Sequence, residues 1–93
     1  MSKELSSKPN GICCYILQCN DGTYYTGWTK DLAKRVEQHE KGLGARYTRQ
    51  RLPVHLVYFE ALPNRSAAMK RERVIKKFTR LKKERLIQGL KGH

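Results

Sequence analysis

Acidic residues are scarce in this chain: eight Asp+Glu stand against 20 Lys+Arg in 93 residues, a formal net charge of +12. That imbalance points to a polyanionic partner, nucleic acid first; DNA is expected before RNA, though charge itself does not separate the two. Long apolar runs are also missing. None approaches the ~18 residues of a membrane-spanning helix, so a helical span is excluded and no membrane partner is expected. Cysteine is confined to Cys13, Cys14 and Cys19. An odd count without a hydrophobic signal segment fits a reducing cytoplasm better than a secreted disulfide scaffold. There is no C-x-x-C, and alternation along a strand sends Cys13 and Cys14 to opposite faces. The three thiols are therefore read as small buried apolar residues, and no structural zinc is expected. Repeats and low-complexity tracts are absent. A chain of this length has a radius of gyration near ~12 Å, which excludes a separate cofactor domain and puts a long recognition site beyond the monomer expected here.

What is present divides into a tail and one domain. Residues 1–10, MSKELSSKPN, are polar and aperiodic and read as a flexible N-terminal tail, with a single domain over 11–93. Ile12 to Cys19 and Thr23 to Trp28 are rich in β-formers around Asn20-Asp21-Gly22, which predicts a hairpin. A three-residue loop with Gly22 left-handed pairs Cys19 with Thr23, Leu17 with Tyr25 and Tyr15 with Gly27, placing Tyr15 and Tyr25 on one face. A two-residue Asp21-Gly22 turn would part the tyrosines onto opposite faces. The longer loop is the expectation.

Thr29 is expected to cap a helix from Lys30 to about Lys41, with Leu32, Ala33 and Val36 inward, Gly42 as the stop, and Arg35 and His39 at its margin. Such a margin lets a polar head reach over the sheet edge into a cleft. Gly42 to Pro53 reads as a basic, mobile loop, and Val54 to Glu60 as a third strand covered on both faces. Asn64 or Ser66 can cap a helix through Phe78, with Ala67, Ala68, Val74, Ile75 and Phe78 inward and Arg71 awkwardly among them. A last helix runs from about Thr79 to Gln88, with Leu86, Ile87 and Leu90 packing inward. From residue 65 onward 11 Lys+Arg face only Glu72 and Glu84, so most of the excess charge lies here. The order ββαβαα implies an α+β domain around a small three-stranded sheet.

Five residues are candidates for carrying chemistry and are weighed together: Tyr15, Tyr25, Arg35, His39 and Glu72. Singly, each has a plain reading: sheet packing for the tyrosines, solvated or helix-end positions for Arg35 and His39, an i,i+4 pair with Lys76 for Glu72. In order, they resemble the GIY-YIG nuclease superfamily, and DGTYYTGWTKDLAKRVEQHEKGLGARYTR looks like its small stand-alone bacterial members. Cys13-Cys14-Tyr15 stands for the first motif and Tyr25-Thr26-Gly27 for the second. Arg35 and His39 follow one turn apart, and Glu72 in Lys70-Arg71-Glu72-Arg73 matches the family's metal-binding glutamate. The likeness spans Ile12 to at least Phe78.

The resemblance implies an endonuclease hydrolysing phosphodiesters with one divalent metal, Mg²⁺ or Mn²⁺. Glu72 would hold the metal by one carboxylate bond while water fills the other positions, as suits an ion that dehydrates reluctantly. Arg35 would fork onto the scissile phosphate. Tyr15 or Tyr25 would serve as general base or position the attacking water, which asks for a lowered phenol pKa, and His39 would assist a tyrosine or shuttle a proton. Lys34, Arg46, Tyr47, Arg49, Arg51, Lys70, Arg73 and Lys76 are the expected nucleic-acid contacts. Lacking an appended DNA-reading module, the chain should be directed by nucleic-acid structure more than by sequence. The competing expectation is a catalytically inactive nucleic-acid-binding module of the same fold. Cys13-Cys14 where the family has Gly-Ile, and the lack of any asparagine after Asn64, point that way.

Overall fold

The computed structural model describes residues 11–91; the tail expected over residues 1–10 and the Leu90 side chain lie outside the described residues. Its hairpin follows from turn chemistry. β1 (Cys13–Gln18) and β2 (Tyr24–Thr29) pair antiparallel with Tyr15 opposite Gly27 and Leu17 opposite Tyr25. The three-residue loop is the one formed: Gly22 adopts φ +86° and Cys19 N donates to Thr23 O at 2.8 Å. Asp21 Oδ1 accepts from Thr23 N at 3.1 Å and from Thr23 Oγ1 at 2.6 Å, which holds the loop. Tyr15 and Tyr25 therefore share a face.

Helix α1 (Leu32–Glu40) begins two residues later than expected, because Asp31 is its cap. Asp31 has the extended backbone a cap needs and accepts from Lys34 N at 3.2 Å, while Thr29 Oγ1 accepts from Asp31 N at 3.1 Å and closes the preceding turn. Leu32 and Val36 point inward; Ala33 is exposed. Gly42, at φ +79°, ends the helix as expected. The stretch read as a mobile loop contains a one-turn helix, α2 (Arg46–Arg49), too short for any period to reveal it.

β3 (His55–Ala61) lies one residue later than expected, and α3 (Arg65–Lys76) is capped by Asn64, whose Oδ1 accepts from Ala67 N at 2.8 Å. α4 (Arg80–Lys91) runs past Gln88 through Gly89. The sheet order is β2-β1-β3, so β1 is central and both faces of Cys-Cys-Tyr-Ile-Leu are covered, which is why that strand is apolar throughout. Cys13, Tyr15 and Leu17 pack with Leu32, Val36 and Val54 on one face. Cys14 and Ile16 pack with Val57, Ala68, Ile75 and Ile87 on the other. Val74, expected inside, is exposed. Arg71 is accommodated by an acid from the sheet: its Nε and Nη2 donate to Glu60 at 2.8 and 3.2 Å, and the Tyr58 hydroxyl donates to the same carboxylate.

Candidate active site

Central β1 holds Tyr15 1% exposed, and its ring lies across β2 at Gly27. A Cβ at residue 27 would stand 2.6 Å from Tyr15 Oη and 2.8 Å from Cζ, so the second motif needs glycine to let the first motif's tyrosine pass. Tyr15 Oη lies 2.9 Å from His39 Nε2. His39 does not sit at the helix margin as expected; it is 0% exposed. The turn after α1 closes over it: the Gly44 backbone abuts the imidazole so closely that a Cβ there would overlap Nδ1, and α2 brings Thr48 Oγ1 to 2.8 Å from Nδ1.

Thr48, itself 0% exposed, joins this cluster although the sequence did not single it out. Nothing local marks it, since it lies among arginines in an aperiodic stretch. Its hydroxyl donates to Ala45 O at 3.0 Å, leaving a lone pair to accept from His39 Nδ1–H. That assigns the proton to Nδ1 and turns the Nε2 lone pair to the Tyr15 hydroxyl, which donates to it. The Ala45 N–H, at 3.4 Å from Nδ1, would prefer the opposite tautomer; the shorter threonine contact decides.

Burial, and then the nearby Arg35 cation, push the His39 pKa below its ordinary value, so the imidazole is neutral at pH 7. Burial also raises the Tyr15 phenol well above its usual range, with Tyr25 and Glu72 adding to the rise and Arg35 opposing it. The lowered phenol expected of a tyrosine base is therefore not what the fold supplies at Tyr15, because desolvation outweighs the one cation. A neutral tyrosine facing a neutral, proton-accepting histidine is the resting state.

Tyr25 extends the site outward. Its ring lies 5.2 Å from that of His39 and stacks on Tyr47 at 6.2 Å, and the Arg51 guanidinium covers Tyr47 at 3.8 Å. The Tyr47 hydroxyl donates to Thr23 Oγ1 at 2.7 Å, and Arg51 Nε pairs with Asp21 at 3.0 Å. Arg51, counted as a nucleic-acid contact, thus has its charge engaged by the hairpin loop.

Arg35 is exposed in a shallow cleft with Lys34 and Gln38 on α1. Glu72, on α3 across the sheet, has a side chain 23% exposed and pairs with Lys76 at 3.4 Å, as its plain reading foretold. Neither bonds directly to Tyr15 or His39 among the described residues, yet both charges are felt at the Tyr15 phenol. The structure thus brings Tyr15, Tyr25 and His39 into contact, with Arg35 and Glu72 flanking from opposite faces. Arg46 and Arg49 are exposed on α2, and Lys70 and Arg73 on α3.

Among the described residues no three His, Cys, Asp or Glu side chains converge as a metal cage. Glu72 does fit a hard cation held by one protein bond: it is a part-buried carboxylate whose competing partner is an exposed lysine at 3.4 Å. The thiols offer no such ligands. Burial raises Cys13 to about 11 and, with Glu60 and Glu72, Cys14 to about 12.

Residues 11–85 match the family pattern described as the GIY-YIG catalytic domain. A UPF0213 protein of Staphylococcus aureus (strain Mu3 / ATCC 700698) is 55% identical over 74 residues, covering 80% of this chain and 90% of that protein. The solution NMR structure of a UPF0213 protein from Bacillus halodurans is 44% identical, with TM-score 0.54 over 83% of this chain and 82% of that one. A solution NMR structure of a protein from E. faecalis is 35% identical, with TM-score 0.61 over 92% of each chain.

Proposed function

The chain belongs to the GIY-YIG catalytic domain family, and from that premise we propose that it is a divalent-metal-dependent endonuclease that hydrolyses phosphodiesters in DNA. The observation that carries this reading is the buried Tyr15–His39–Thr48 hydrogen-bond chain. A structural tyrosine needs no neutral histidine behind it with its tautomer assigned. A tyrosine that passes a proton does.

In this reading Glu72 holds Mg²⁺ or Mn²⁺ at a single site, and the ion, when bound, supplies charge stabilisation at the phosphate and a more acidic water. The chain's own residues do the rest. The attacking water gives its proton to Tyr15 Oη as Tyr15 gives its own to His39 Nε2, so phenol and imidazole together take up one proton and no free phenolate is required. Bond formation from water to phosphorus accompanies cleavage of the bond to the leaving oxygen, which takes a proton from solvent. Arg35 forks onto the non-bridging oxygens, and Tyr25 fixes the His39 ring from its outer side. The basic residues of α2, α3 and α4 hold the strand without reading bases, so recognition follows nucleic-acid structure. The site of action is the cytoplasm, where three free thiols persist.

The test is a cleavage panel of branched, flapped and single-stranded DNA and RNA with Mg²⁺ or Mn²⁺. Wild type should cut, and Glu72→Ala and Arg35→Ala should lose cutting with unchanged circular dichroism. The Glu72–Lys76 ion pair favours a second reading, an inactive binding module whose acid is occupied. Salt-sensitive binding with every substrate left uncut would select it.

A further inference from the structure

Beside Tyr25 lies a cleft of about 250 Å³ lined by Tyr24, Tyr25, Thr26, Tyr47, Lys76 and Lys83. Among the described residues strand β2 is an edge of the sheet, pairing with β1 alone, so its side chains reach this cleft from both faces. Tyr47 arrives from α2, Lys76 from the end of α3 and Lys83 from the first turn of α4. Three of its six lining residues are tyrosines and two are lysines.

Two details show that the cleft is not simply a gap between packed elements. Lys83 is half-buried and has no carboxylate partner among the described ion pairs. Burial and the charge of Lys76 hold its ammonium below the usual lysine range, a tension that an anion between the two lysines relieves. In the wall, Thr26 Oγ1 is the buried side-chain polar atom left without a hydrogen-bond partner among the described residues.

We propose that this cleft receives one unpaired nucleotide of the substrate, its base against the tyrosine rings and its phosphate between Lys76 and Lys83. Aromatic walls beside paired ammonium groups suit a planar ring carrying an anion on a short arm. A base inside a duplex is stacked on both faces and paired along its edge, so it cannot enter without being extruded. The position is apt: the Tyr25 ring is 5.2 Å from His39, and Lys76 touches Glu72 at 3.4 Å, so a nucleotide held here adjoins both flanks of the candidate active site. The proposal rests on the nuclease reading and adds to it a substrate class, strands that are single or locally unpaired.

The test measures anisotropy of a labelled oligodeoxythymidylate and of a blunt duplex, in EDTA at matched salt. Wild type should bind the single strand at least about tenfold more tightly. Tyr24→Leu should weaken single-strand binding by about five- to a hundredfold and duplex binding by less than about twofold. Lys83→Gln should lower the single-strand salt slope by about 0.7. Should Tyr24→Leu lose its circular dichroism, Lys83→Gln, altering a half-exposed side chain, carries the test. Equal wild-type affinity for both probes, or variants that weaken both equally, would overturn the pocket. Discrimination without cleavage of any substrate would uphold the pocket and sink the nuclease reading; cleavage without discrimination would do the reverse.

Discussion

Thr48→Val is the most informative single change, because it keeps the side chain's shape and deletes one hydroxyl at a fully buried site. One partner is stranded. His39 Nδ1–H loses its acceptor at 2.8 Å, whereas Ala45 O, which loses the hydroxyl at 3.0 Å, keeps the Arg49 N–H at 3.0 Å. An unpaired buried donor costs about 1–3 kcal/mol. The fold has one escape: the Ala45 N–H, at 3.4 Å, can donate to Nδ1 once the ring shifts its proton to Nε2. Part of the stability then returns, but Nε2–H faces Tyr15 and can no longer take its proton. Urea unfolding should therefore show a loss of about 1–2 kcal/mol, and cleavage should fall by about 10²-fold or more, the lower end of what a general acid-base step contributes. Thr48→Ser, which retains the oxygen, should restore most of both. A stability loss below about 0.5 kcal/mol, or full cleavage in a folded Thr48→Val protein, would refute the tautomer assignment.

Gly27→Ala should cost about 1–3 kcal/mol by equilibrium unfolding, since the new methyl overlaps the Tyr15 phenol, and Tyr15→Phe in the same chain should recover part of that cost by removing the atom at 2.6 Å. Glu60→Gln leaves the Arg71 guanidinium half-buried beside a neutral amide; a loss of about 1–2 kcal/mol is expected, and a change within about 0.3 kcal/mol would show that solvent screens the pair. His39 sets an acid limb. Its folded pKa lies below the ordinary 6.5, so its contribution is complete above that value. As pH falls through it, the unfolded chain takes up a proton that the folded one refuses. Stability then drops by up to about 1.4 kcal/mol per pH unit, until the folded pKa is reached. Unfolding midpoints against pH should show this slope in wild type and lose it in His39→Gln, and the cleavage rate should decline only below that window, once pH falls through the folded pKa and the folded imidazole itself takes up the proton.

The hairpin was legible because its signals are local: Asn-Asp-Gly dictates a loop length, and loop length dictates register. The start of α1 was misread for an equally local reason, since Thr29 and Asp31 are both competent caps and only the backbone angles decide between them. Arg71 looked misplaced on its own helix because its partner, Glu60, lies eleven residues away on another element.

Charge excess, the hairpin with its two tyrosines on one face, and the succession of strands and helices were determined by the sequence itself, since each depends on composition or on neighbours a few residues apart. The depth of His39, the part played by Thr48 and the shared cleft of Tyr24, Tyr47, Lys76 and Lys83 were decided by tertiary structure. Burial and convergence arise between elements, and no periodicity within one element encodes what another will lay against it. The +12 charge, legible in the sequence, is the ground for proposing a nucleic-acid partner; the packing around one imidazole, decided only by the fold, is the ground for proposing chemistry there.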